Sequence, residues 1–338
     1  TIGQQQQQQQ QKHTDFLEIA LSTGTDKVQG HANLPKCLLK KEGCINPTST
    51  REECRPWGHF YDTLYDNYLR KYATTPDSSD LYGPIQFLEI GHYTGKGFEA
   101  YKKYLEQGNG NTGSTNQHEL HTMEISCLET GPQSEGKWPY RNTAIVNPRY
   151  ESLRKEERLH CGDASKYDTL LEMWETKMKR SRRSSSNTST NTNTNDNDTS
   201  SLLSQPPPPP LMVVVDDGSH LATHMATSLF FWLPRLEPGG ILVVEDIQPI
   251  ATANPFRTHI LPQVIKDLHW CGDDENNGLP DTRCFPQIQP FLAGVHCEMH
   301  ICVFIRNEKP SYEPNERDSI MPVDAITNAQ KCLFGPHS

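Results

Sequence analysis

Two apolar runs that each end in carboxylates constrain this chain more than any other feature. The first, Leu211-Met-Val-Val-Val-Asp-Asp-Gly-Ser-His220, is followed about one helix length later by Ile241-Leu-Val-Val-Glu-Asp246. Continuous Val, Ile and Leu runs are typical of buried parallel strands, and open α/β sheets bind their ligands at the carboxyl ends of such strands. The two runs therefore predict a charged site at one sheet edge, suited to a divalent cation.

Strand-like and helix-like segments alternate along most of the chain. The pattern predicts strands at 85–90, 120–124, 158–161, 211–216, 241–246 and 295–305. It predicts helices at 98–105, 149–157, 167–178, 220–236 and 262–270. Strands separated by helices form βαβ units with right-handed crossovers. The predicted fold class is therefore α/β, a doubly wound and mostly parallel sheet with helices on both faces.

Composition divides the chain into four parts. A Gln run occupies the first residues, and a Ser-, Asn-, Thr- and Pro-rich stretch lies after the helix predicted to end at 178. Both compositions are typical of segments that do not pack. We predict a disordered Gln-rich N-terminus at 1–15, a mostly helical extension at 16–80, a main domain at 81–310 that includes a low-complexity disordered insert at 179–210, and a C-terminal tail at 311–338.

Charge, hydropathy and cysteine content limit the partners and leave the compartment open. A formal net charge of −10 argues against a nucleic-acid binder, and no apolar run is long enough for a membrane span. The spacings of Cys37, Cys44, Cys54, Cys271 and Cys284 match no zinc signature. We interpret them as ordinary thiols, with a disulfide pair in a secretory lumen as the alternative. The cytoplasm is the default compartment, and the secretory lumen remains open.

A glycine-rich turn follows the first predicted strand and precedes a helix. Its sequence is Glu89-Ile-Gly91-His-Tyr-Thr-Gly95-Lys-Gly97. Glycines allow the backbone to approach a ligand closely, and the helix N-terminus offers free N–H groups. The spacing differs from the Gly-x-Gly-x-x-Gly of nicotinamide-binding folds. It resembles motif I of class I S-adenosylmethionine-dependent methyltransferases, with a tight turn that binds nothing as the alternative.

Three more acids fall where such a fold would contact the cofactor. Glu124 ends the second strand, where it could accept hydrogen bonds from ribose hydroxyls, or it could be an edge glutamate in solvent. Asp163 follows the third strand, where class I methyltransferases place an acid near the adenine amino group, although it could equally cap the next helix. Asp216 ends the fourth strand, and together these acids form the predicted cofactor edge.

Longer motifs narrow the resemblance to one group of enzymes. The segments Asp216-Asp-Gly-Ser-His-x-x-x-His224 and Pro238-Gly-Gly-Ile-Leu-Val-Val-Glu-Asp246 resemble the macrocin and mycinamicin sugar O-methyltransferases and the related rhamnosyl and cephalosporin-type enzymes. The segments Gly24-Thr-Asp-Lys27 and His59-Phe-Tyr-x-x-Leu-Tyr65 are similar to the N-terminal region of that family. The resemblance implies a Rossmann-like seven-stranded sheet, a methyltransferase domain at 81–310, S-adenosylmethionine as cofactor and a hydroxylated small molecule as acceptor. Whether the chain forms a homo-oligomer is left open.

The chemistry of methyl transfer to a hydroxyl assigns roles to the acids. The hydroxyl must lose its proton, and a hard cation such as Mg²⁺, which prefers carboxylate oxygens, assists that loss. The resemblance implies Asp217 and Asp246 as metal ligands and His220 as the general base, a role that suits imidazole near neutral pH. A third metal ligand is not assigned; the candidates are Glu245, Asp216 and Glu89. The alternative is that Asp216 and Asp217 only cap the next helix.

The combined prediction is an S-adenosylmethionine-dependent O-methyltransferase that acts with Mg²⁺ on a sugar or glycosylated small molecule. One alternative is an NAD-type oxidoreductase on a similar sheet, which the glycine spacing disfavours. The other is a non-catalytic interaction protein that keeps the fold and docks through its Gln and Pro tracts.

Overall fold

The structure is a computed structural model that describes ten segments of the chain. They are 14–31, 59–73, 83–107, 118–125, 152–153, 155–178, 208–249, 251–269, 285 and 287–309. The predicted C-terminal tail and nearly all of the Gln-rich N-terminus and of the low-complexity insert lie outside these residues. So do residues 149–151 and 154 of the predicted helix at 149–157, and the cysteines at 37, 44, 54, 271 and 284.

A mixed seven-stranded sheet forms the centre of the described fold. Its strands are β1 Gln86–Ile90, β2 Glu119–Glu124, β3 Leu159–Cys161, β4 Leu211–Asp216, β5 Ile241–Val244, β6 Leu292–Glu298 and β7 Ile301–Arg306. Their order across the sheet is β3-β2-β1-β4-β5-β7-β6. The first five strands pair in parallel, whereas β7 pairs antiparallel with both β5 and β6. This confirms the predicted doubly wound, mostly parallel α/β sheet.

Helices cover both faces of the sheet. They are α1 Phe16–Thr23, α2 Asp62–Leu69, α3 Lys96–Leu105, α4 Tyr167–Met173, α5 Ala222–Trp232 and α6 Leu261–His269. Successive strand residues point to opposite faces, so Leu242 and Val244 pack with α4, α5 and α6, whereas Ile241 and Val243 pack with α1, α2 and α3. The N-terminal helices thus share one hydrophobic core with the sheet. Among the described helices, none has the length and apolarity that crossing a bilayer requires.

The late strand predicted at 295–305 is wrong, because the segment forms a hairpin of β6 and β7. The alternation of apolar residues continues through the turn, so the pattern alone hides the reversal. His300 adopts a φ of 68°, which allows the chain to turn back. Cys297 and Cys302 face each other across the two strands and form a disulfide.

The course of the chain through the sheet places a crevice between β1 and β4. The chain runs outward from β1 through β2 and β3 on one side, then returns to β4 and continues outward on the other. Ligands of open α/β sheets bind outside the carboxyl ends of the strands at such a switch point. Glu89 near the end of β1 and the acids at or after the ends of β4 and β5 all lie at this edge.

Candidate active site

Backbone pairing continues past the strand ends and brings the predicted acids together. The Asp217 N–H donates to the Ile90 carbonyl at 2.9 Å, and the Glu245 N–H donates to the Asp216 carbonyl at 2.9 Å. Because each loop stays attached to its neighbour for one more residue, the side chains of the β4 and β5 loops leave the sheet side by side.

Asp217, His220 and Asp246 form the metal-type cluster of the site. Each offers a ligand atom, and these atoms lie within 4.8 Å of one another. His220 Nε2 lies 3.5 Å from Asp246 Oδ2. Two carboxylates and an imidazole suit a small divalent cation that keeps waters in its shell. The cluster does not include Glu245, Asp216 or Glu89, the candidates for a third ligand; its third member is His220, the residue predicted to act as the base.

Both His220 and Asp246 are held in an unusual backbone conformation. Each has a φ of 55°, in the left-handed region that residues other than glycine rarely adopt. Such conformations cost free energy and persist where the surrounding structure holds them, most often at functional sites. The strain therefore marks the two loop positions that aim side chains into the cluster.

Lys27, from the turn after α1, compensates the negative charge of the site. Its Nζ donates to Asp217 Oδ2 at 2.9 Å and to Glu245 Oε1 and Oε2 at 2.7 and 2.9 Å, while its side chain is 1% exposed. Burial alone would lower the pKa of Lys27, but Asp217 and Glu245 outweigh it and raise that pKa well above its ordinary value. The lysine is therefore a fixed cation, shared by two carboxylates.

Three buried tyrosines complete the hydrogen bonds of the acids after β5. The Tyr65 hydroxyl donates to Glu245 Oε1, and the Tyr101 hydroxyl lies 2.9 Å from the same oxygen. The Tyr61 hydroxyl donates to Asp246 Oδ1 at 2.9 Å. Burial and the neighbouring carboxylates raise the pKa of each of these tyrosines, so the hydroxyls stay protonated and remain donors.

The helix-capping alternatives for the acids are wrong. Helix α5 begins after Leu221 and α4 after Lys166, and neither has a side-chain cap hydrogen bond. Asp216 Oδ1 accepts instead from the Gly218 N–H at 3.2 Å. Asp163 Oδ1 accepts from the N–H and hydroxyl of Ser165 at 2.9 and 2.6 Å. These acids shape tight loops at the sheet edge and do not cap the helices that follow.

Glu89, Glu124 and Asp216 are buried whereas Asp163 is half-buried, and two oxygens of the buried acids have no hydrogen-bond partner among the described residues. These atoms are Glu89 Oε2 and Asp216 Oδ2. Burial raises the pKa of both carboxyls. Glu124 is 8% exposed and accepts from the Tyr93 N–H at 2.9 Å, so the interpretation as an edge glutamate in solvent is wrong. Partnerless buried oxygens fit a ligand rich in N–H and O–H donors.

The glycines of the first turn are required by contacts between protein segments. Gly91 has a φ of 93°, and a Cβ there would stand 2.1 Å from the Asp217 carbonyl oxygen. A Cβ at Gly97 would stand 2.8 Å from both Glu89 Oε1 and Lys27 Cε, and one at Gly95 would meet the His92 ring. The turn thus packs directly on the metal-type loop. Its outer side stays open, since Tyr93 is 49% exposed.

Sequence reasoning missed the donors that organise the acids. Lys27, Tyr61 and Tyr65 lie in segments noted for their resemblance, but no role was assigned to them. A signal was present: Tyr61 and Tyr65 are four residues apart, which puts both hydroxyls on one side of α2. Their targets, Asp246 and Glu245, follow β5 and lie 185 and 180 residues away, and no local pattern gives that distance.

Comparison with known proteins gives one short match to a curated enzyme. No protein-family profile matches the chain. A stretch of 34 residues is 53% identical to an 8-demethyl-8-alpha-L-rhamnosyl tetracenomycin-C 2'-O-methyltransferase of Streptomyces olivaceus, and the match covers 10% of this chain and 9% of that enzyme. The match confirms the resemblance to the rhamnosyl methyltransferase group that the motifs indicated.

Solved structures of MycE methyltransferase from the mycinamycin biosynthetic pathway also match the chain. One, in complex with Mg and SAH, has a TM-score of 0.47 at 15% identity and covers 95% of this chain and 61% of that one. Another, in complex with Mg, SAH and Mycinamycin VI, has a TM-score of 0.46 at 15% identity and covers 90% and 58%. The chain therefore spans about 60% of the length of the solved relatives it matches.

Proposed function

We propose that this protein is an S-adenosylmethionine-dependent O-methyltransferase that acts on a hydroxyl of a sugar or glycosylated small molecule with Mg²⁺ assistance. The observation that carries the proposal is the cluster of Asp217, His220 and Asp246 beside the Gly91–Gly97 turn at the switch point of the sheet. The short match to a rhamnosyl O-methyltransferase supports the reaction class and the sugar acceptor.

The metal half of the site would hold and deprotonate the acceptor. Asp217 and Asp246 would bind the ion, which when present supplies positive charge that acidifies and orients the acceptor hydroxyl. His220 would take the hydroxyl proton at Nε2, the atom that lies 3.5 Å from Asp246 Oδ2.

The cofactor half would hold the methyl donor through its amino and hydroxyl groups. We assign Glu124 to the ribose hydroxyls and Asp163 to the adenine amino group. The unpartnered oxygens of Glu89 and Asp216 would accept hydrogen bonds from the remaining donors of the cofactor. Because they have no side chains, Gly91, Gly95 and Gly97 would let the turn pack closely on neighbouring protein segments. The outer side of the turn would then contact the cofactor.

We propose that the acceptor is a small molecule. Self-association of the chain is also only a proposal, because it rests on no described interface.

The disulfide between Cys297 and Cys302 supports an oxidising compartment over the cytoplasm, because cytosolic thiols are kept reduced.

Replacing the metal-type acids tests the proposed function. Asp217→Asn and Asp246→Asn should each abolish Mg²⁺-stimulated transfer of a labelled methyl group to a panel of hydroxylated acceptors, because a neutral amide binds the ion weakly. S-adenosylhomocysteine affinity, measured by calorimetry, should change little. The exposed Asp168 on α4 offers a matched control, and Asp168→Asn should behave as wild type. Unchanged turnover in both site variants would remove the metal mechanism.

Replacing His220 separates the base from a structural role. His220→Ala should lower turnover far more than cofactor affinity, by about 10²–10⁴-fold as for other general bases. The reverse pattern, lost cofactor affinity with normal turnover at saturation, would make His220 structural.

A further inference from the structure

We infer that Lys27 and Tyr61 are positioning residues that hold the two metal-binding carboxylates from one structural unit of the N-terminal extension. We call this unit, residues 27–30 and 59–61, the N-terminal clamp. The inference rests on the proposed function, because it concerns how Asp217 and Asp246 are presented to an ion.

The two halves of the clamp are joined to each other by backbone hydrogen bonds. The Tyr61 N–H donates to the Lys27 carbonyl at 3.0 Å, and the Gly30 N–H donates to the His59 carbonyl at 3.1 Å. Gly30 lies directly against the Phe60 ring, where a Cβ would stand 2.3 Å from the nearest ring carbon. The clamp is thus a closely packed pair of segments, and a shift of either one moves the other.

One oxygen of Asp217 is fixed by the clamp. Lys27 Nζ binds Asp217 Oδ2 at 2.9 Å and is itself anchored by both oxygens of Glu245. A buried charge with three carboxylate contacts has little freedom to move. The bond sets the rotation of the Asp217 carboxylate and leaves Oδ1 as the atom it can offer to an ion.

One oxygen of Asp246 is fixed in the same way. The Tyr61 hydroxyl donates to Oδ1 at 2.9 Å, and His59 Nδ1 lies 3.3 Å from the same oxygen. Oδ2 is on the side of His220, at 3.5 Å from Nε2. The clamp therefore occupies the oxygen of Asp246 that faces away from His220 and leaves Oδ2 inside the cluster.

Orientation of carboxylates by such outer donors governs metal affinity. Removing an outer-shell partner of a metal ligand typically costs 10- to 100-fold in affinity or activity. By linkage, an ion that binds the positioned carboxylates must also stabilise the clamp that positions them. This reciprocal effect is specific to positioning and does not follow from a purely structural role.

Manganese binding to the full chain tests the inference without any methyl transfer. Tyr61→Phe removes only the hydroxyl, and we expect it to weaken Mn²⁺ binding, followed by electron paramagnetic resonance, by about tenfold. Tyr104→Phe is the matched control, because the buried Tyr104 also donates its hydroxyl to a carboxylate, that of Asp66 at 2.6 Å. It should leave the affinity for Mn²⁺ unchanged. In hydrogen-exchange mass spectrometry, Mg²⁺ should slow exchange across 59–61 in wild type and slow it less in Tyr61→Phe.

The outcomes separate this inference from the proposed function. Normal Mn²⁺ affinity in Tyr61→Phe, or an equal loss in Tyr61→Phe and Tyr104→Phe, would overturn the positioning role. Absence of Mg²⁺-dependent protection across 59–61 in a wild type that binds the ion would also overturn it. A wild type that binds no Mn²⁺, or binds it equally well after Asp217→Asn, would instead overturn the metal assistance itself.

Discussion

Two sets of acids lie at one edge of the sheet, and they differ in the hydrogen bonds that the protein donates to them. On the metal side, Asp217, Glu245 and Asp246 each accept a strong hydrogen bond from a lysine or a tyrosine. On the cofactor side, Glu89 and Asp216 are more deeply buried than Asp217 and Asp246. Glu89 Oε2 and Asp216 Oδ2 accept no hydrogen bond among the described residues, although His92 Nδ1 lies 3.6 Å from Glu89 Oε2. The sequence alone shows only acids at strand ends, with nothing to distinguish one set from the other.

The difference indicates how each half of the site is prepared for its ligand. Metal ligands must be ionised when the ion binds, and a charge or donor beside a buried carboxylate favours its ionised form. Lys27 acts in this direction on Asp217, although burial still raises the pKa of that carboxyl well above its ordinary value. A cofactor that carries N–H and O–H groups supplies its own hydrogen-bond donors. The carboxylates that bind it can therefore lack protein donors in the ligand-free state, at a cost in stability. Removing the lysine or tyrosine donors of the metal side should therefore destabilise the protein. Neutralising a buried acid of the cofactor side should instead stabilise it.

The largest effect is expected from Lys27→Met, which keeps the length of the side chain and removes its charge. Asp217 and Glu245 then lose their shared counter-ion while they remain buried, and breaking a buried ion pair in this way costs about 3–5 kcal/mol. Urea unfolding monitored by fluorescence measures the loss. Lys103→Met is the control, because Lys103 pairs with Glu99 on the surface of α3 at 3.5 Å and should cost less than about 1 kcal/mol. Equal losses in both variants would mean that the charge of Lys27 is not needed.

Sequence patterns reveal the sheet and its acids but not the donors that organise them. The runs at 211–216 and 241–246 predict strands because a buried parallel strand has a local composition that can be recognised. Glu89 and Asp246 follow from strand ends for the same reason. The bond from Lys27 to Asp217 joins positions 190 residues apart, and a single lysine in a turn has no local signature. The β6–β7 hairpin was missed because its alternation runs unbroken through the turn.

Glu89→Gln probes the cofactor side and should have the opposite sign. The amide removes a buried charge that burial disfavours, so we expect the ligand-free protein to become more stable at neutral pH. S-adenosylhomocysteine should bind about tenfold more weakly, because hydrogen bonds to a charged acceptor are stronger than those to a neutral one. Thermal unfolding and calorimetry measure the two effects. Glu99→Gln, on the outer side of α3, should change neither.

The gain in Glu89→Gln should depend on pH. Burial raises the pKa of Glu89 in the folded chain above its ordinary value of 4.5. The contribution of Glu89 to the stability of the wild type is therefore greatest below pH 4.5, where the carboxyl is protonated in both states, and it is lost as the pH rises through the raised pKa. The variant has no such loss, so its advantage should grow upward from pH 4.5. If the stability of Glu89→Gln relative to wild type instead grew toward low pH, the folded protein would stabilise the carboxylate form of Glu89.

The smallest effect is expected at Glu245, which has several hydrogen-bond donors. Glu245 accepts from Lys27 and contacts the hydroxyls of both Tyr65 and Tyr101, which also lie 2.7 Å from each other. Tyr65→Phe and Tyr101→Phe should each cost about 1 kcal/mol in urea unfolding, because the remaining hydroxyl still serves the carboxylate. The double variant should cost more than the sum, since only Lys27 then remains. If either single variant lost more than about 3 kcal/mol of unfolding free energy, Glu245 would depend on one donor instead of several.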